Sequence, residues 1–328
     1  MKAVVQHRYG GVEQLRIADL EAPEAAAGEV LVRVRAAGVE RGTVHLMTGL
    51  PLVGRVVLGL RRPRCPVPGR ELAGVVEAVG EGVTRFAVGD EVMGVPAPVL
   101  KSGSGHGALA ELTRAVADGL VTKPAALSFA EAAAVPVSAS TALQAVRDHG
   151  RVRAGQRVLV SGASGGVGTY AVQLATSYGA EVTAVCGPAK HDLVRALGAV
   201  EVLDYTRGEP TGVFDVVLDL AGNRPVRQLR SLLTPTGTLV IVGGEGGGRW
   251  FGGLGRNLGL KLRAPFTQQR LVAMLASENR ADLEALAELA ERGAYRPAVE
   301  RTFTLEESAK AIAHLQEGHA RGKVVVLP

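Results

Sequence analysis

A chain of 328 residues, 47% hydrophobic and 21% charged, has room for about two domains with a core in each, which excludes a disordered chain. Its net charge of +5 comes from arginine, 30 of the 37 basic residues, scattered rather than gathered in one block, so composition gives no support for a nucleic-acid partner. Two cysteines, Cys65 and Cys186, make no disulfide scaffold, no stretch reaches about eighteen consecutive apolar residues, and no apolar signal core follows Lys2, so a cytoplasmic protein without a membrane partner is expected.

Taken in order, the chain opens with short strand-like segments. Lys2–Val5, Gln14–Ile17 and above all Glu29–Ala36, where Val30, Val32 and Val34 alternate, read as strands. Ala73–Val79 and Asp90–Met93 add two more, separated by Gly80, Gly82 and Gly89; short strands with glycine corners point to a small irregular barrel. Residues 97–107 read as a mobile surface loop with His106 in solvent. Ser128-Phe-Ala-Glu131 is a capping box opening a helix that links two domains, with Pro136 interrupting it.

Val158-Leu-Val-Ser-Gly-Ala-Ser-Gly-Gly-Val-Gly168 follows: a β-branched strand, a glycine turn, and a helix whose Val167, Ala171, Leu174 and Ala175 recur at helical spacing. Gly165, Gly166 and Gly168 let the backbone approach a pyrophosphate, while the N–H groups of the first helical turn point at the anion. Gly179 stops the helix and Glu181–Cys186 forms a second strand, closing the unit within about thirty residues. Asp192–Leu197, Val200–Leu203, Phe214–Asp219 and Thr238–Val242 continue the alternation. The expected fold is α/β, a doubly wound parallel sheet of Rossmann type after the β-rich first domain. From Ala163 the turn reads AxGxxG; from Gly162 it reads GxxxGxG, as short-chain dehydrogenases carry. That class resembles a single domain that begins at its turn and uses Tyr-x-x-x-Lys, whereas here the turn lies halfway along and none of five tyrosines has a lysine four residues on.

A carboxylate at the end of the second strand would bond the ribose hydroxyls of NAD and repel the extra phosphate of NADP. The chain has Cys186-Gly187-Pro188-Ala189-Lys190 there, with no acid and with a lysine, which favours NADPH. Tyr205 is placed to lie against the same phosphate or the adenine. Lys190 as a phosphate contact and Lys190 as a solvated helix cap fit the sequence equally. Gly243 and Gly244 are expected to bring backbone groups to the nicotinamide carboxamide, as in related folds. Trp250 and Phe251 either wall a substrate pocket or are buried against the sheet or a dimer contact. Leu260–Ala264 is the expected sixth strand at the sheet edge, and an exposed edge is a pairing template, so a homodimer is expected. Leu283, Leu286 and Leu289 mark an amphipathic helix; Thr304-Leu-Glu-Glu307 caps another, which Gly318 ends before the last strand.

Pro68-Gly-Arg-Glu-Leu-Ala-Gly-Val-Val-Glu-Ala-Val-Gly-Glu-Gly-Val83, with Phe86-Ala-Val-Gly-Asp-Glu-Val92, resembles the catalytic-domain signature of the medium-chain dehydrogenase/reductase superfamily. The likeness extends through the AxGGVG turn to the ending Gly322-Lys-Val-Val-Val326, over essentially the whole chain. The turn Gly-Ala-Ser-Gly-Gly-Val-Gly, Val182–Cys186 with Asp204-Tyr205, and Gly318–Lys323 are most similar to the zinc-independent quinone oxidoreductase branch. The resemblance implies a GroES-like β-barrel catalytic domain at 1–123 and 266–328 around a Rossmann domain at 124–265, with the pocket between them. It sets Thr141 near the nicotinamide half; a hydroxyl bonded to the preceding turn is the other reading of that residue.

Zinc members carry a Cys just after the strand ending near Gly38 and a His-Glu pair after Pro-Gly. Here Val39-Glu40 and Arg70-Glu71 stand at those places, and a guanidinium does not ligate. The region of the structural zinc has no cysteine cluster and the histidines have no ligand spacing, so no metal is expected. Without a metal to polarise a carbonyl, hydride delivery to an enone, enoyl group or quinone is favoured, giving an NADPH-dependent oxidoreductase for a small apolar electrophile. Branch members have an Asn and an Asp three apart in the first-domain wall, and a Tyr a few residues later; this chain has Glu40 and Thr43, and Leu50-Pro-Leu52 offers no phenol. Thr43 and His45 remain as donors and Arg41 as an anchor; His45 is the best titratable candidate, although an unpaired histidine beside a helix is more often structural. Leu46, Met47, Leu50, Leu52, Val53, Val56 and Leu58 suggest an apolar cleft, while Arg55, Arg61, Arg62 and Arg64 either greet an anion or form a solvated basic face. Two other readings stay open: a non-catalytic NADPH-binding protein of structural or RNA-binding kind, and a metal-free alcohol dehydrogenase of a biosynthetic pathway.

Overall fold

A computed structural model describes residues 1–96, 107–243, 248–253, 260 and 267–328. They form two units, Met1–Ser138 with Glu278–Pro328, and Ala139–Ser277. Both divisions fall later in the chain than the boundaries expected at 123/124 and 265/266. The capped helix Phe129–Ala133 packs on the first unit's sheet, and the last strand of the nucleotide-type sheet lies beyond residue 265.

The first unit holds a two-stranded sheet, β1 Lys2–Val5 with β2 Arg16–Asp19, and a seven-stranded sheet. The larger sheet runs β14 (Val299–Thr304), β15 (Lys323–Leu327), β3 (Glu29–Val39), β4 (Glu71–Val79), β5 (Glu91–Gly94), β7 (Leu120–Thr122), with β6 (Leu112–Val116) also pairing β3. The alternation read at Val30, Val32 and Val34 is real: these three are buried while Arg33 and Arg35 between and beyond them are exposed. Their inward face joins Leu72, Leu109, Leu120, Ile312 and Val324 in one apolar cluster, where full burial of each such side chain contributes roughly 1.5–3 kcal/mol. The strand expected at Gln14–Ile17 starts later, at Arg16, because Val12–Gln14 closes a short 3-10 turn first.

The second unit carries a six-stranded parallel sheet in the order β10 (Glu201–Asp204), β9 (Glu181–Cys186), β8 (Arg157–Ser161), β11 (Phe214–Asp219), β12 (Leu233–Ile241), β13 (Arg270–Ala273). Strand order reverses between β8 and β11, the switch point where such sheets bind ligands. The strand that pairs with β12 is Arg270–Ala273, with Thr238 opposite Arg270; of the sixth strand expected at Leu260–Ala264 only Leu260 is described, helical and buried in this unit's core. Residues 261–264, Gly244, His106 and the loop at 97–106 lie outside the described residues. Among the described residues no helix is long and apolar enough to cross a membrane.

Candidate active site

At the carboxyl end of the second unit's sheet the register sets Ser161 of β8 beside Asp219 of β11, and Asp219 beside Ile241 of β12. The chain leaves Ser161 through Gly162, whose positive φ of 78° only glycine adopts without strain. It then enters the helix Gly166–Ser177 with Gly165 at the N-cap and no side chain capping the first turn. Ser, Thr, Asp or Asn normally fills that role, so leading N–H groups stay available to an anion. Two glycines divide the work. A Cβ at Gly168 would overlap the Gly162 carbonyl oxygen, so Gly168 exists to let helix and turn touch; at Gly165 only that same oxygen comes near, at 3.5 Å, an ordinary contact. Gly165, Gly166 and Val167 are half-buried, while Ala163 is buried below them. These features fit a pyrophosphate.

The neighbouring strands complete this rim. Cys186 ends β9, buried, its thiol pushed up by that burial and, with Asp204, kept neutral. β10 pairs Asp204 with Cys186, which brings the next residue, Tyr205, over the following glycine: a Cβ at Gly187 would lie 3.5 Å from the Tyr205 ring and hydroxyl. Lys190 closes the short turn Pro188–Lys190 beside them. One oxygen of the Asp204 carboxylate accepts from the Thr206 hydroxyl and amide, at 2.7 and 2.9 Å, and these bonds hold it below the usual carboxylate range. A depression of about 420 Å³ lies alongside, lined by His191, Arg195, Asp204 and Arg207 among others. Thr141 is half-buried on the helix Ser138–Leu143. Gly243 follows β12, donates to Asp219 O at 3.1 Å and packs so closely on the Leu220 carbonyl that a side chain has no room. Trp250 is exposed. Sequence reasoning missed Arg224, which donates to Ser161 Oγ at 3.3 Å at the foot of the turn and is held by Glu209 at 3.0 Å; those partners are far off in sequence and left no local signal.

In the first unit the four catalytic candidates do not form a cluster of donors. Glu40 is the N-cap of the helix Arg41–Thr48, accepting from the Thr43 amide at 2.8 Å and from the Gly42 amide. Thr43 is fully buried and its hydroxyl donates to Glu40 Oε1 at 2.9 Å, which corrects the expectation of a free donor there. Arg41 and His45 are exposed. Behind Glu40 lies a charged group that the sequence did not reveal. Glu71 is fully buried and accepts from Lys323 Nζ and, at 2.9 Å, from the Val137 amide; Lys323 also donates to Ser138 Oγ at 2.9 Å. Gly38, directly opposite Glu71 across β3 and β4, makes the room, because a Cβ there would strike the carboxylate. Burial pushes the Glu71 carboxyl above its usual range against the pull of Lys323, and Glu40 adds to the rise. Arg70 bonds Glu278 at 2.7 Å and lies 3.8 Å from Glu40; although burial works against its charge, Glu40, Glu278 and Glu71 outweigh it and hold the guanidinium firmly protonated.

Residues 26–125 match the alcohol dehydrogenase GroES-like domain family, and residues 197–326 the zinc-binding dehydrogenase family. The chloroplast envelope quinone oxidoreductase homolog of Arabidopsis thaliana is 31% identical over all of this chain and 98% of its own. The mitochondrial NAD(P)H oxidoreductase RTN4IP1 of Mus musculus is 33% identical over 99% of this chain and 89% of its own. The solved quinone oxidoreductase of Coxiella burnetii superposes over all of this chain and 99% of its own with a TM-score of 0.85 at 27% identity. The chain belongs to the medium-chain dehydrogenase/reductase superfamily, in its quinone oxidoreductase-like branch. As a member of that superfamily it is an oxidoreductase that uses a nicotinamide cofactor. The zinc named in the second family's description is a poor fit. Glu40 is spent on a helix cap, Glu71 is locked to Lys323, and Arg70 is a fixed cation. Among the described residues no three His, Cys, Asp or Glu side chains gather as a metal site.

Proposed function

We propose that the chain is an NADPH-dependent, metal-independent reductase of quinones or activated C=C bonds. The observation that carries the reaction class is the ion-paired group Glu71, Lys323, Ser138, Arg70 and Glu278: every charge in it has a protein partner, which supports chemistry without a Lewis acid. A quinone or enone is already electron-poor and needs least help. NADPH preference is supported by the acid-free end of β9 with Lys190 beside Gly187 and Tyr205. When bound, the reduced nicotinamide supplies a hydride. The chain's own part is to hold the pyrophosphate on the N–H groups of the helix at Gly166, and to seat the carboxamide against backbone at Gly243. With the Thr43 hydroxyl committed to Glu40, His45 or water is left to deliver the proton to the reduced acceptor. β13 ends the sheet order, which supports edge-to-edge pairing of two copies as a homodimer.

The test is oxidation of NADPH and NADH by the purified protein against quinones, enones and enoyl thioesters, before and after exhaustive chelation. We expect turnover that survives chelation and favours NADPH. Lys190→Ala should lower the NADPH-to-NADH preference by about ten- to a hundredfold, one charge-assisted bond to a phosphate being worth roughly 1.5–3 kcal/mol. Loss of activity on chelation, restored by zinc, overturns the metal-independent reading; an unchanged cofactor ratio in Lys190→Ala removes that residue from selection.

A further inference from the structure

The thirty residues from Arg41 to Arg70 contain six arginines and no aspartate or glutamate. Setting them aside leaves 31 basic against 32 acidic residues, so the whole positive excess of the chain resides in this one stretch. Its middle is also where apolar side chains stand in solvent. Of twelve large hydrophobic residues exposed among the described residues, four fall within eight positions: Val53 at 42%, Val56 at 66%, Val57 at 45% and Leu60 at 71% exposure. The others are scattered, as on an ordinary surface.

This element has a built shape. It consists of the 3-10 turn Leu52–Gly54 and the short helix Arg55–Leu58. Tyr9 donates to Gly59 O at 2.8 Å, the Arg55 guanidinium stacks 4.3 Å over the Tyr9 ring and donates to Gly49 O at 3.0 Å, and the Arg64 amide returns to Leu58 O at 2.9 Å. Arg55 is thereby an internal strut. Arg61, Arg62 and Arg64 are exposed, and among the described residues none of the three has an ion-pair partner. An exposed apolar segment followed in the chain by exposed arginines that have no ion-pair partner among the described residues has the chemistry of an interfacial anchor: the valines and leucine enter the boundary of headgroups and acyl chains, while the guanidinium groups stay among phosphates. We propose that residues 50–64 dock this protein on an anionic lipid surface. The anchor works at the surface and needs no spanning helix, and it does not depend on which acceptor the enzyme reduces. It is an alternative to the expectation of no membrane partner, which rested on the lack of a long apolar segment in the sequence.

The test is co-sedimentation of the full chain with vesicles of phosphatidylcholine alone and of phosphatidylcholine mixed with phosphatidylglycerol, at low and high salt. Binding is expected to the mixed vesicles and to weaken as salt screens the arginines. The Arg61→Gln, Arg62→Gln, Arg64→Gln triple variant should lose partitioning on the order of a hundredfold, each exposed arginine near an anionic surface being worth roughly fivefold. The Val56→Asp, Leu60→Asp double variant should lose at least about tenfold while the apparent mass on gel filtration and the unfolding transition stay as in the parent. Equal binding to both vesicle types, or binding that neither variant alters, overturns the proposal. So does an absence of vesicle binding together with self-association that the double variant abolishes, which would make a second copy the occupant of this face.

Discussion

The glycine turn of the second unit and the charged group of the first are opposite solutions to placing polarity in a protein interior. The turn leaves the first turn of a twelve-residue helix without a side-chain cap, and only the Gly162 oxygen comes near Gly165, so its polarity is open. The group around Glu71 satisfies its charges with one another and owes nothing outward. Open polarity can be read as binding; closed polarity stabilises only while each partner is present, and its removal is costly.

The largest expected effect comes from breaking the turn where it is tightest. Gly168→Val drives a branched side chain into the Gly162 carbonyl and should cost more than ~4 kcal/mol, abolishing both cofactor fluorescence enhancement and cooperative unfolding at the parent midpoint. A variant that folds and binds normally would show that helix and turn do not need their close approach.

Lys323→Met tests the closed group. It strands Glu71 without its cation at a fully buried position, and about 3–5 kcal/mol of stability should go, read from urea unfolding. The pH dependence follows from the direction of the Glu71 shift. The folded protein holds that proton more tightly than the unfolded chain does, whose carboxyl titrates near 4.5. In that interval the native state binds more protons, so the contribution of Glu71 to stability is fully present below pH 4.5 and is lost as pH rises through the raised folded value. Lys323→Met should raise that value further and widen the window, so the variant regains stability relative to the parent on mild acidification. A deficit constant with pH would mean that Glu71 is not the group left exposed to the loss.

Legibility in the sequence followed the range of the interaction. The strand at Val30–Val34, the capping boxes at Ser128 and Thr304 and the glycine turn are local patterns, and the structure has them: Glu131 accepts from the Ser128 amide at 2.9 Å as the spacing requires. The Glu71 group joins residues 252 and 185 positions apart through Lys323, and nothing local announces that. Glu40 and Thr43 were readable as polar residues after a strand, but whether their oxygens face a substrate or each other at the start of the helix that Glu40 caps depends on packing. The strand at Arg270–Ala273 escaped the sequence for the same reason, since four residues carry too little period of their own and gain strand form from β12.

A smaller effect separates capping from catalysis at Thr43. Thr43→Val removes one buried hydrogen bond to the Glu40 carboxylate, worth roughly 1.5–3 kcal/mol. Stability should fall by that amount, with kcat unchanged within roughly twofold. A drop of about a hundredfold in kcat with stability intact would return Thr43 to the chemistry and make the first unit's polarity open after all.

The smallest structural change is the most discriminating for the turn. An alanine at Gly165 meets only the Gly162 oxygen, at 3.5 Å, and the backbone there is extended with φ at −84°, which any residue adopts. Gly165→Ala should therefore stay within about 0.5 kcal/mol of the parent in stability. Its methyl nevertheless adds bulk at the N-cap of the uncapped helix, where the proposed pyrophosphate would bind, so the Kd for NADPH should weaken by on the order of tenfold or more. Calorimetric unfolding beside a fluorescence titration reads both on one sample. If stability and Kd both hold, the phosphates do not rest over Gly165, and the anion must be sought at another part of the rim, where Arg224 stands beside Ser161 at the foot of the turn. If stability falls with Kd, the turn is as closed as the Glu71 group, and the contrast between the two regions fails at its clearest point.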